Sequence, residues 1–146
     1  MAQVQVKKLD SRAVLPTSGS ALAAGYDLYS CLDADVTILP GETAKIGTGL
    51  ALALPEGTFG AVFARSGLAT REGLRPANCV GVCDSDYRGE ILVALHNQSG
   101  EAQTVEDGER IAQLVITPYL TAAFSETDTL TDTVRGSGGF GSTGKK

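Results

Sequence analysis

The segment Gly81-Val82-Cys83-Asp84-Ser85-Asp86-Tyr87-Arg88-Gly89-Glu90 changes character twice. Val82 and Cys83 close an apolar run. Asp84, Ser85 and Asp86 are turn formers, Tyr87 is β-prone and Gly89 punctuates. Ile91-Leu92-Val93-Ala94-Leu95 then resumes the apolar run. Strand, polar tip, strand is the pattern of a β-hairpin. By itself the tip is open to two readings. It is a solvated β-turn closed by an Asx bond, or it is the wall of a small pocket. A carboxylate can orient and deprotonate a water, and a ring can wall off a sugar or a base.

Outward from this segment the chain repeats the same grammar. Val4-Gln5-Val6 alternates like a strand, and Ala24–Tyr29 reads as a short strand entered through Gly25. Val36–Leu39 ends at Pro40-Gly41. Ala44–Thr48, Leu50–Leu54 and Thr58–Phe63 read as three more short strands, separated by Gly49, Pro55 and Gly57. Ile91–Leu95 is almost continuously apolar, which fits a strand buried on both faces, in a core or at a subunit interface. Ile111–Ile116 is a further strand, and Ser125–Thr133 an irregular connection. Strands at this spacing predict an all-β sandwich or barrel. The best helical stretch is short, Ser66–Arg71, with Ser66 as N-cap and Gly73 as stop.

Composition narrows the class. A chain of 146 residues is one domain by length and can bury about 70% of its unfolded surface. With no Trp and 5% aromatics, the core must be made of Val, Ile, Leu and Ala. Met1–Lys8 lacks the apolar region of a signal peptide, and no apolar run approaches the roughly 18 residues of a membrane span. Cys31, Cys79 and Cys83 are an odd number without a CxxC pair. They read as reduced, buried thiols of a cytoplasmic protein. His96 is the only histidine and has no clustered partners, which argues against zinc. A net charge of −5 makes bulk nucleic-acid binding a poor fit. A single anionic ligand stays open if Arg65, Arg110 and Arg135 are focused in one place. Arg12, Arg71, Arg75 and Arg88 read as surface charges.

Several residues admit both a structural and a chemical role. Asp27, between Tyr26 and Leu28, is satisfied by backbone donors or aimed at a cation. Arg65, Ser66 and Gly67 are a solvated charge and a helix cap, or a phosphate site. Asn78 is a turn residue, or a donor–acceptor pair matched to a pyrimidine edge. Gln113 is a core amide bonded to backbone, or a ligand group. Cys83 packs as a small hydrophobe. The glycine-rich tail from Arg135 to Lys146 builds no core and defaults to a flexible arm. Its N–H groups can nevertheless fold around phosphates.

Five stretches, in order, resemble the motifs of the homotrimeric dUTPase family. They are Ala24-Gly25-Tyr26-Asp27-Leu28, Arg65-Ser66-Gly67-Leu68-Ala69, the Gly81–Glu90 segment, Gly108-Glu109-Arg110-Ile111-Ala112-Gln113-Leu114, and the tail from Arg135 to Gly144. The resemblance spans nearly the whole chain. Ala64, Cys83 and Glu109 stand where relatives more often carry Pro, Ile or Val, and Asp.

The resemblance implies a jelly-roll-like β-sandwich with one short helix. Residues 1–134 would form the β domain, and residues 135–146 an arm that closes over an active site. It implies hydrolysis of dUTP to dUMP and pyrophosphate, which keeps uracil out of DNA and supplies dUMP for thymidylate synthesis. Asp84 would activate the water that attacks the α-phosphorus. Val82 and Cys83, through their backbone, and Asn78 would read uracil, and Tyr87 would pack on the deoxyribose. Arg65, Ser66, Gly67, Gln113 and Arg135 would hold phosphates. Phe140 would stack on the base, with Gly141 and Ser142 in the phosphate loop. Asp27 would reach a substrate-held Mg2+ through a water. The partners implied are dUTP and two further copies of the chain, with sites shared between subunits.

Overall fold

A computed structural model describes residues 3–139. Alternating Val, Ile and Leu positions generate eleven strands among the described residues, all paired antiparallel. They are β1 (Gln5–Lys8), β2 (Thr17–Ser18), β3 (Tyr26–Tyr29), β4 (Val36–Ile38), β5 (Thr43–Ala53), β6 (Thr58–Phe63), β7 (Leu74–Pro76), β8 (Gly81–Cys83), β9 (Glu90–Asn97), β10 (Gln103–Val105) and β11 (Arg110–Pro118). One sheet runs β1-β5-β9-β7, a second runs β2-β3-β11-β6-β8, and β4 pairs with β10. The expected β-sandwich is therefore present, and the described residues hold a single short helical turn at Leu68–Glu72.

The core lies between the sheets. Inward residues of β9 (Ile91, Val93, Leu95) and β5 (Ile46, Leu52) meet Leu28, Val62, Ile111 and Leu114 of the opposite sheet. Burial of each such side chain favours the fold by about 1.5–3 kcal/mol. The expectation that Ile91–Leu95 is buried on both faces is not met within one chain. The strand alternates, and Leu92 is 49% exposed.

Two boundaries and the burial of the thiols also differ from the sequence reading. The two strands expected on either side of Gly49 are one strand, β5, with an irregularity between Gly47 and Ala51. Gly49 has φ +65°, and a Cβ there would meet Ala13 Cβ at 2.9 Å and Cys31 Sγ at 3.0 Å. Glycine thus makes a bulge here and not a turn, because β1 and β9 hold the flanking segments in register. β7 was not expected: it is short and carries Pro76, which an edge strand tolerates. Of the three free thiols, only Cys83 is buried. Cys31 is half-buried, and Cys79 is exposed in a turn at φ +63°.

The largest correction concerns Gly81–Glu90, which is not a hairpin. β8 pairs with β6 through Gly60↔Cys83, Ala61↔Val82 and Val62↔Gly81. β9 pairs with β5 and β7 in the other sheet. Residues 84–89 therefore arch from one sheet to the other.

At the far end of β9, Asn97 is fully buried and all its polar atoms are used. Its Nδ2 donates to the carbonyls of Ile38 (2.8 Å) and Glu101 (2.7 Å), and its Oδ1 accepts from the N–H (2.9 Å) and the hydroxyl (2.7 Å) of Ser99. Asn97→Ala takes the side-chain donor from the Ile38 carbonyl and the acceptor from the Ser99 N–H, and should cost about 2–4 kcal/mol in urea denaturation. An unchanged midpoint would show that Asn97 is not a tie between β4 and β9.

Candidate active site

The arch is held by bonds among its own residues. The Tyr87 N–H donates to the Asp84 carbonyl at 3.1 Å. Arg88 Nη1 donates to the carbonyls of Ser85 (2.7 Å) and Tyr87 (2.9 Å). Arg88 is thus a clamp on the arch, where the sequence offered only a surface charge. The Tyr87 hydroxyl donates to the Glu90 carbonyl at 3.1 Å, which folds the ring back over Gly89. A Cβ on Gly89 would collide with that ring, so glycine is needed for the close approach.

Beneath the arch is a cavity of about 250 Å³. Asn78, Val82, Cys83, Asp84 and Tyr87 all line it, with Glu90 at its edge. Five of the residues singled out from sequence therefore share one hollow. Asn78 sits in the turn after β7 and does not open a strand. β8 is the last strand of its sheet, so one edge of its backbone is left without a strand partner. Val82 is exposed on that strand. The Asp84 side chain is exposed, and among the described residues its carboxylate has no hydrogen-bond partner. Such a carboxylate is free to order a water. Cys83 is buried against the core. Burial pushes its thiol up, and the nearby Asp84 adds to the effect. It is therefore a poor nucleophile, as its packing role requires.

A second group gathers where β3, β11 and the end of β6 meet. Asp27 pairs with Gln113, and Gln113 with Phe63, across the sheet. Arg65 Nε donates to Asp27 Oδ1 at 3.0 Å, and Arg110 Nη1 to Asp27 Oδ2 at 3.3 Å. Arg65 Nη1 also donates to the Arg110 carbonyl at 3.1 Å. Neither a set of backbone donors nor a lone cation holds Asp27; two guanidinium groups do, and they leave the trio with a net positive charge. The expected focusing of arginines is present for Arg65 and Arg110. Gln113 Nε2 donates to the Ala64 carbonyl at 2.9 Å, and its Oε1 lies against Gly25.

Ser66 does not cap the helix. The N-cap position is Gly67, with no side-chain bond, and the turn is wide: the N–H of Gly73 reaches the carbonyl of Leu68. The Ser66 carbonyl accepts from the Thr70 hydroxyl at 2.7 Å. Its own hydroxyl has no partner among the described residues and is left available.

The two groups do not share the cavity: Asp27, Arg65, Ser66, Gly67 and Gln113 are not among its walls. Arg135 Nε donates to the Gly138 carbonyl at 2.8 Å, within its own segment. Phe140, Gly141 and Ser142 lie outside the described residues. Among the described residues no three His, Cys, Asp or Glu side chains cluster as a metal cage. Mg2+ does not need one, since it keeps several waters and is held by one or two carboxylates with substrate phosphates. Asp27 retains lone pairs beyond its two arginine bonds, so the donor set fits a metal carried in by a polyphosphate and touched through water.

The profile of the dUTPase family matches residues 11–144. The deoxyuridine 5'-triphosphate nucleotidohydrolase of Desulfitobacterium hafniense is 52% identical, over 99% of each chain. That of Neisseria meningitidis serogroup A is 46% identical, over 97% of each. Among solved structures, the dUTPase of Staphylococcus bacteriophage 80alpha with dUpNHpp has a TM-score of 0.88 at 29% identity. The match covers 97% of this chain and 98% of that one.

Proposed function

The chain belongs to the dUTPase family, and on that premise we propose that it hydrolyses dUTP to dUMP and pyrophosphate with Asp84 as general base. The observation that carries the reading is the cavity under the arch. It joins a solvent-facing carboxylate, a ring, an amide and an open strand edge in a space of about 250 Å³. The open backbone of Val82 and Cys83, with Asn78, matches the donors and acceptors of uracil. Close backbone contact leaves no room for the thymine methyl, and the donor pattern rejects cytosine. Tyr87 packs on the deoxyribose and excludes a 2′-hydroxyl.

Asp84 accepts a proton from the water as its oxygen bonds to the α-phosphorus. The bond from that phosphorus to the bridging oxygen breaks, and pyrophosphate leaves with the electron pair. Arg65, Ser66, Gly67, Gln113 and Arg135, with Arg110 beside them, hold the phosphates, and Phe140, Gly141 and Ser142 complete the closing arm. Positioned charge is the main source of rate in such transfers. When bound, Mg2+ supplies further neutralisation of the triphosphate, with Asp27 reaching it through a water. The product dUMP then feeds thymidylate synthesis, and dUTP is kept from DNA.

We further propose that the working unit is a cytoplasmic homotrimer with shared sites. Two features favour it. On one chain the arginine group is not among the walls of the cavity. Leu120, Phe124 and Leu130 are 86–98% exposed on a segment without regular structure, while a separate apolar opening of about 700 Å³ is lined by Val4, Val6, Leu52, Leu114 and Ile116. Apolar surface of that kind calls for a partner.

Asp84→Asn should lower kcat by at least about a hundredfold while dUTP still binds. Near-normal turnover would remove Asp84 from the role of base. Subunit sharing has its own test. Asp84→Asn with an intact arm, and a chain with normal Asp84 that stops before Arg135, are mixed by co-refolding. Random trimers should regain activity in about a quarter of sites. A mixture as inactive as its parents, with exchange shown by native mass spectrometry, would mean that arm and cavity belong to one chain.

A further inference from the structure

The irregularity in β5 lies directly behind the arch. Between the pairs Gly47↔Leu92 and Ala51↔Glu90, β5 has Thr48, Gly49 and Leu50 where β9 has only Ile91. The ladder is interrupted there, in surroundings closed to water: Thr48 and Leu50 are 0% exposed and Ile91 is 4%. Buried backbone groups without partners are costly, so two side chains stand in for the missing ladder. The Thr48 hydroxyl donates to the Ile91 carbonyl at 2.8 Å and accepts from the Leu50 N–H at 3.3 Å. The Glu90 carboxylate accepts from the Gly49 N–H at 2.8 Å. On the other side, the Gly49 carbonyl accepts from the Leu9 N–H at 2.7 Å, which anchors the bulge to the residue that follows β1.

Glu90 is bound at both ends. Its side chain holds the bulge, and its carbonyl takes the Tyr87 hydroxyl. The side-chain bonds at the far foot of the arch therefore pass through Glu90 or its neighbour Ile91, while the rest of β9 is held by its ladders to β5 and β7. The near foot is fixed separately, by the pairing of β8 with β6.

We infer that Thr48 and Glu90 are positioning residues, which set the arch so that Asp84 and Tyr87 meet the substrate at a fixed spacing. The inference rests on the proposed dUTP reaction for its kinetic consequence. Its structural content stands on the β5 bulge alone. Neither residue touches the reacting atoms. Thr48 acts through Ile91, and Glu90 through Gly49 and Tyr87. Loss of either lets the far foot shift, and displacement of a reacting group by an ångström costs orders of magnitude in rate.

The test uses the full chain with four substitutions. Thr48→Val keeps shape and removes the hydroxyl; Glu90→Ala removes the acceptor. Thr48→Ser and Glu90→Gln keep the donor and the acceptor. In the ligand-free proteins, hydrogen exchange at the Tyr87 amide should be about tenfold faster in Thr48→Val and Glu90→Ala, with β6 and β11 amides unchanged. With dUTP and UTP, the same two variants should lose about tenfold in kcat and show a higher UTP-to-dUTP ratio of kcat/KM. Thr48→Ser and Glu90→Gln should recover most of both. The ratio does not depend on how much of the protein is folded, so a merely structural defect leaves it unmoved. Glu90 is only half-buried, and Glu90→Ala carries the test if Thr48→Val gives little folded protein. A Tyr87 amide that exchanges as in the wild type, or in step with β6 and β11, overturns the inference. So does an unaltered ratio in a variant whose arch exchanges faster. A wild type that turns over no dUTP strikes the functional reading alone, because the exchange measurement decides positioning without it.

Discussion

The crossing of residues 84–89 from one sheet to the other is the constraint on which the site depends. β8 is committed to β6, and β9 to β5 and β7. Packed sheets stand about 10 Å apart. Residues 84–89 bridge that gap, and side chains do not fill all of it at the crossing. The space that remains is the cavity, and the residues that span it are the acidic turn and Tyr87. A true hairpin would have put Val82 and Leu92 in one sheet. The order within the arch then follows from chemistry. Asp84 leaves the core with its carboxylate free, Arg88 gathers two carbonyls, and Tyr87 lies down on Gly89.

A second feature is electrostatic. The chain has a net charge of −5, yet Arg65 and Arg110 converge on Asp27. Pairing each guanidinium with one carboxylate oxygen fixes its plane and leaves other N–H groups to face a ligand. Local focusing of this sort suits one polyphosphate and not a nucleic-acid backbone. It also explains how an acidic protein could hold a strongly anionic substrate, as proposed.

Much of the sandwich was legible, because alternation of Val, Ile and Leu with polar residues reports directly on which face is buried. Val82, Cys83, Asp84 and Tyr87 could be grouped because they lie close in the chain, and Asn78 joined them only through the family resemblance. What could not be read has a common cause. Turn residues announce that the chain changes direction but not which strand it will pair with, so the arch looked like a hairpin. Gly49 punctuates equally well as a turn or a bulge. Arg88, Thr48 and Glu90 bind backbone groups, and such partners leave no mark in side-chain spacing. Ser66 looked like a cap, but Gly67 takes that position and Ser66 uses its carbonyl instead. The pairing of Arg110 with Asp27 joins residues far apart in sequence. Only the register of β3 on β11 brings them together.

The most direct measurement is pyrophosphate release from dUTP, UTP, dTTP and dCTP in parallel, with Mg2+, alongside ammonia release from dCTP. The account predicts turnover of dUTP with a kcat/KM at least about a hundredfold above that of the other three, and no ammonia. Comparable turnover of UTP or dTTP, ammonia from dCTP, or no pyrophosphate from dUTP would contradict it.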